Sequence, residues 1–131
     1  MFKKTITYTD FDGVERTEDF WFNFTKAELT EMQLMTDGGL DKYLDRIIKS
    51  KDQKAIVKAF KELVLKAYGV KSDDGRRFIK SDELRDEFSQ TEAYSDIFVE
   101  LATDEDAATA FINGVTPKID APKNQVAPSN K

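Results

Sequence analysis

The chain has 131 residues, of which 40% are hydrophobic and 34% charged, with a formal net charge of −5 and neither cysteine nor histidine. That length suits one domain with a modest core, and the missing residue types exclude a thiol nucleophile, a disulfide scaffold, a Cys/His zinc site and an imidazole general base. No apolar run reaches the roughly 18 residues of a membrane span, and the acidic balance argues against non-specific nucleic-acid binding.

The N-terminal residues alternate in polarity where a signal peptide would run continuously apolar, which predicts a soluble intracellular protein. Thr5-Ile-Thr-Tyr-Thr9 predicts a strand, Asp10-Phe-Asp-Gly13 a turn, and the stretch from about Val14 to Phe24 a second strand. Period two places Phe20, Phe22 and Phe24 on one face and Trp21 and Asn23 on the other. An isolated hairpin is marginal in water, so the aromatic face requires a cover of helices or of another subunit.

The period becomes helical at Thr25, where Thr25 and Glu28 fit a capping box. The helix that follows carries Leu29, Met32, Leu34 and Met35 and should stop near Asp37-Gly-Gly39. A second helix, from about Gly39 to Lys49, presents Leu40, Tyr43, Leu44, Ile47 and Ile48 as an apolar stripe. Ser50 with Gln53 suggests another capping box, opening a helix with Ile56, Val57, Phe60, Leu63, Val64 and Ala67 inward and Gly69 at its end. Residues 70–90 are less regular: Ser72-Asp-Asp-Gly75 is a turn, Arg76 to Lys80 is ambiguous, and Ser81 caps a helix to about Phe88. Two further helices follow, one from Thr91 to Thr103 bearing Tyr94, Ile97, Phe98 and Leu101. The other is capped by Asp104, bears Ala107, Ala108, Phe111 and Ile112, and is closed by Asn113-Gly114. From Pro117 onward periodicity disappears and all three prolines occur, which predicts a disordered tail.

Together these elements predict a mainly α, α+β fold: an N-terminal β-hairpin packed on a bundle of about five or six helices. Residues 1–116 would form a single globular domain, with 1–24 the hairpin and 25–116 helical, and 117–131 the tail. Charge is unevenly spread, since residues 91–116 hold six acidic groups and no basic one.

Few constellations carry chemistry. Asp10-Phe-Asp-Gly13 has its glycine too early for a calcium loop. Asp96 and Glu100, at i and i+4, could be drawn as an acid/base dyad, but solvated carboxylates on an acidic helix face are the commoner arrangement. Arg76-Arg77 has no phosphate-cradling loop beside it, and neither GxxxxGK[ST] nor GxGxxG occurs. No catalytic, cofactor-binding or metal-ligating residue emerges, and the chain reads as a non-enzyme. Surfaces remain: Met32 and Met35 are either an adaptable contact or ordinary core, and Trp21 is either a satellite core residue or an interface anchor. Trp21, Met32, Met35, Asp96 and Glu100 are therefore the candidate partner-binding residues.

The chain also resembles the tail assembly chaperones of long-tailed bacteriophages, of siphophages and prophages. The resemblance lies in Lys4-Thr-Ile-Thr-Tyr8, Asp12-Gly-Val-Glu-Arg-Thr-Glu-Asp19 and Phe24-Thr-Lys-Ala-Glu-Leu29. It continues in Ser89-Gln-Thr-Glu-Ala-Tyr94, Phe98-Val-Glu-Leu-Ala-Thr-Asp104 and Ala107-Ala-Thr-Ala-Phe-Ile-Asn-Gly114. It covers about residues 1–116. It implies a small helical protein of the host cytoplasm, absent from the mature virion, that binds the tape measure protein and keeps it soluble during tail tube assembly. The tail tube protein is a further implied partner, and a homo-oligomer is compatible with the role; no cofactor, nucleic acid or membrane is implied. Such chaperones are commonly made in two lengths by a −1 ribosomal frameshift, and Pro122-Lys-Asn124 is compatible with codons containing the slippery heptamer A-AAA-AAC. A frameshift-extended form of the chain would then be another partner. The alternative reading is a virion structural component, a minor tail or head–tail protein.

Overall fold

The computed structural model describes residues 1–36 and 38–116, apart from the side chains of Leu40, Asp41, Leu44 and Ile48. The predicted tail, 117–131, and part of the predicted apolar stripe, at Leu40, Leu44 and Ile48, lie outside that description. The chain opens with β1 (Phe2–Thr9) and β2 (Glu15–Phe22), paired antiparallel with Phe2 opposite Phe22 and Thr9 opposite Glu15. The turn between them forms because Gly13 takes a φ of 81°, while Asp10 Oδ1 accepts from the backbone N–H groups of Asp12 and Val14.

Next come α1 (Lys26–Met35), α2 (Leu40–Ser50) and α3 (Gln53–Ala67). The Thr25–Glu28 capping box is present in both directions. The second expected box is not. Ser50 is the last residue of α2, its hydroxyl bonded to the Ile47 carbonyl, and Asp52 caps α3 by accepting from Lys54 and Ala55. Asp52 accepts those N–H groups as a charge at the positive end of the helix dipole. Phe60, Leu63, Val64 and Ala67 are buried as expected, but Val57 is 39% exposed at the edge of the stripe.

After α3 the chain departs from expectation. Gly69 does not end a helix; it belongs to β3 (Tyr68–Lys71), which pairs with β2, and β4 (Phe78–Ile79) pairs with β3. The hairpin is thus half of a four-stranded antiparallel sheet in the order β1-β2-β3-β4. Strands of four and two residues are too short to show a period. A Cβ on Gly69 would lie 2.5 Å from the Phe78 ring and 2.9 Å from the Ile79 carbonyl oxygen, so the close approach requires glycine. The expected turn at residues 72–75 is present, with the Gly75 N–H donating to the Ser72 carbonyl.

The chain ends in α4 (Asp82–Ser89), α5 (Glu92–Thr103) and α6 (Glu105–Val115), capped by Ser81, Thr91 and Asp104. Asn113-Gly114 does not close α6. The helix continues through Gly114, where a Cβ would meet Phe2 at 2.5 Å, so glycine here admits the Phe2 ring. Six helices stand among the described residues. Their core residues, among them Phe60, Phe88, Ile97, Leu101 and Phe111, pack with Ile6, Phe20, Phe22 and Phe24 in one apolar cluster.

Phe22 is fully buried, with its ring centroid 5.5 to 6.4 Å from those of Phe2, Tyr68, Phe88 and Phe111. Replacing Phe22 by Ala should cost about 3–5 kcal/mol, and Gly69→Ala about 1–3 kcal/mol through overpacking. Urea denaturation of each variant measures both; a Gly69→Ala midpoint equal to wild type would show that the sheet yields there at no cost.

Candidate partner-binding site

Helix α1 is held firmly at one end and loosely along its length. At the start, Glu28 Oε1 accepts from the Thr25 backbone N–H, while Glu28 Oε2 lies 2.8 Å from Lys80 Nζ. Lys80 also donates to the Asn23 carbonyl at 2.8 Å and sits 4.9 Å from the Phe24 ring centroid. Its side chain is only 11% exposed, so this pair joins the ends of β2 and β4 to the first turn of α1. Burial by itself would raise the Glu28 pKa, but the bonds from Lys80 and Thr25 outweigh it and bring the carboxyl below its ordinary value. Burial lowers the Lys80 pKa, and Glu28 offsets only part of that. Of the two partners, the carboxylate is stabilised by the arrangement, while the ammonium carries its desolvation penalty.

Along α1 only Leu29 is buried. Met32 is half-buried, whereas Leu34 is 82% and Met35 87% exposed, so the helix ends in apolar side chains that the rest of the chain does not cover. Met32 stands as a wall between two depressions. One, of about 430 Å³, is lined by Met35, Tyr43, Ala59, Leu63 and Glu62; the other, of about 410 Å³, by Phe24, Glu28, Leu65 and Arg85. Met32 and Met35 therefore share one site, with a mobile thioether side chain at its centre and its edge. Leu34 extends that apolar surface, its outward orientation being set by packing rather than by residue type.

The other three candidates lie elsewhere. Trp21 is half-buried on the outer face of the sheet, 5.6 Å from Lys3 Nζ and 4.8 Å from Lys71 Nζ measured to its ring centroid. Asp96 is exposed on α5, and Glu100 is ion-paired to Lys4 at 2.6 Å. Lys4 comes from β1, a contact that helix spacing alone does not reveal. Among the described residues, no group of three or more acidic side chains is placed to hold a metal ion, and no helix is long and apolar enough to cross a membrane.

The model of the phage tail assembly chaperone family matches residues 1–127. The chain belongs to that family. No curated protein and no solved structure matches it. Membership makes this an assembly chaperone that acts with tail proteins, and the mainly helical architecture suits that family.

In this chaperone the Glu28 contribution is fully present above the unfolded carboxylate value of about 4.3, and it is lost as pH falls through the lower folded value. The stability gap between wild type and Glu28→Gln should therefore narrow on acidification, as read from urea midpoints against pH. A gap that stays constant through that range would remove charge from the account of α1 anchoring.

Proposed function

We propose that this chaperone binds the tape measure protein and keeps it soluble in the host cytoplasm while the tail tube assembles, without itself entering the mature virion. Residues 1–116 act in this reading as a single domain, and the role needs no catalytic step. The observation that carries it is the uncovered apolar end of α1, Leu34 and Met35, beside the depressions on either side of Met32. A long helical client exposes apolar seams that would otherwise associate with one another. An amphipathic client helix laid into a groove supplies apolar anchors at helical spacing, and methionine adapts to anchors that differ along the client. Glu31, Glu62 and Lys66 ring the groove with charge of both signs, which suits a rim that remains in water.

Co-expression with the tape measure protein tests this reading. The client should be soluble and co-purify only in the presence of the chaperone, and Leu34→Asp with Met35→Asp should lower the recovered complex at least tenfold, as expected when charge enters an apolar contact. Because both side chains already face solvent, the double variant should keep the wild-type unfolding midpoint. A client indifferent to the chaperone, with this chain instead found at fixed stoichiometry in purified particles, would make it a virion component. The extended form remains an additional proposed partner; the codons for Pro122-Lys-Asn124 decide whether the slip site exists.

A further inference from the structure

The end of α6 is fixed beside the groove that α1 forms. The Val115 carbonyl accepts from the Phe24 N–H at 2.9 Å, and the Thr116 hydroxyl and N–H both bond the Ile112 carbonyl. Thr116 itself is extended, with φ −91° and ψ 123°, as a residue before proline prefers. Pro117 has no N–H with which to continue the helix, so the chain leaves α6 at Thr116.

Phe24 is also a wall of the depression of about 410 Å³ that Glu28, Met32, Leu65 and Arg85 help to line. The exit of the chain is therefore one backbone hydrogen bond away from a residue of the groove. Ile119 follows Thr116 by three residues, a stretch that extended chain spans with up to about 10 Å. It is the first branched aliphatic side chain after Val115, with Lys118 before it and Asp120 after it. The depression offers the matching set. Its rim holds Glu62 and Lys66, four residues apart on α3, and neither has an ion-pair partner among the described residues. Segment and rim thus each present one carboxylate and one ammonium around an apolar centre.

We infer that the segment around Ile119 docks in this depression on its own chain and covers the Phe24 side of the groove until a client displaces it. A ligand joined by so short a tether is present at about millimolar effective concentration, so a contact too weak to hold a separate peptide is still occupied. Prolines at positions 117 and 122 restrict the backbone of the segment, which lowers the ordering cost of docking. Leu34 and Met35, at the far end of α1, stay uncovered and give a client its first contact. The docking concerns the chaperone alone, whereas displacement rests on the client-binding reading of the groove.

The sequence has no cysteine, so K66C/D120C carries a single thiol pair, and its two substitutions leave the net charge unchanged. In the full-length chain under oxidised glutathione, the pair should close within the chain about tenfold faster than in K66C/D120C/I119D, and I119L in place of I119D should restore the rate. Circular dichroism of each variant checks that its fold is retained. Equal rates with and without I119D overturn the inference, because a tether with no docked anchor gives that result. A disulfide that forms only between chains also overturns it, since the segment then lies on a neighbouring copy. In the complex with co-expressed tape measure protein, closure should slow to the I119D rate. A stable complex that closes as fast as the free chaperone overturns the displacement. A client that binds neither the wild type nor I119D overturns the client-binding reading instead, while the rates in the free chain still decide the docking.

Discussion

Phenylalanines at alternate positions, Phe20 and Phe22 at the end of β2 and Phe24 just beyond it, are all buried, and the side of the chain that bears them must leave water. Phe22 is where this demand is met. It is enclosed by one ring each from β1, the start of β3, α4 and α6, at angles between 52° and 68°. Such tilted contacts let rings from four separate elements approach one another without stacking into a single column. The parallel stack of Tyr68 on Phe88, 4.1 Å apart, then ties the sheet to α4. Most other features of the fold follow from bringing those four elements to one strand. The two close-approach glycines, Gly69 and Gly114, sit where Phe78 and Phe2 need the room.

Helix α1 stands apart from that arrangement. It contributes one buried residue, and its attachment is polar and concentrated in its first turn, where a single carboxylate serves both the helix cap and the Lys80 ammonium. A helix fixed at one end by charge and bare of packing at the other has its weakest structure where its apolar side chains are most exposed. For a chaperone this division is useful, because the rigid aromatic layer need not rearrange when the exposed end adapts to a client.

Much of this was legible in the sequence where the determining contacts are local. The Thr25–Glu28 box, the caps at Ser81 and Asp104, the Gly13 turn and the Phe20/Phe22/Phe24 face all depend on neighbours within a few residues. Long-range partners set what was missed. β3 and β4 exist because β2 offers them an edge, not because four or two residues prefer to be extended. Gly114 sits within a helix because Phe2, more than a hundred residues away in the chain, needs its space. Ser50 was the expected cap of α3, but α2 runs on through Ser50 to the left-handed backbone of Lys51, which leaves Asp52 to cap α3. In the candidate site, residue types were readable and environments were not. Methionine marked Met32 and Met35, yet only the packing distinguishes a wall between two depressions from a nearly bare surface side chain. The lysines beside Trp21 came from strand register, and the lysine paired with Glu100 from a contact between a helix and a strand.

The route of the chain through its core also has a consequence for synthesis. Ribosomes release the hairpin first, whereas Tyr68, Phe88 and Phe111, which cover it, follow only as α3 to α6 are made. The backbone bond from the Phe24 N–H to the Val115 carbonyl, 2.9 Å long, cannot form until α6 has emerged. For most of its translation the nascent chaperone therefore displays an uncovered row of phenylalanines, the same kind of exposed apolar surface that a tail chaperone exists to shield.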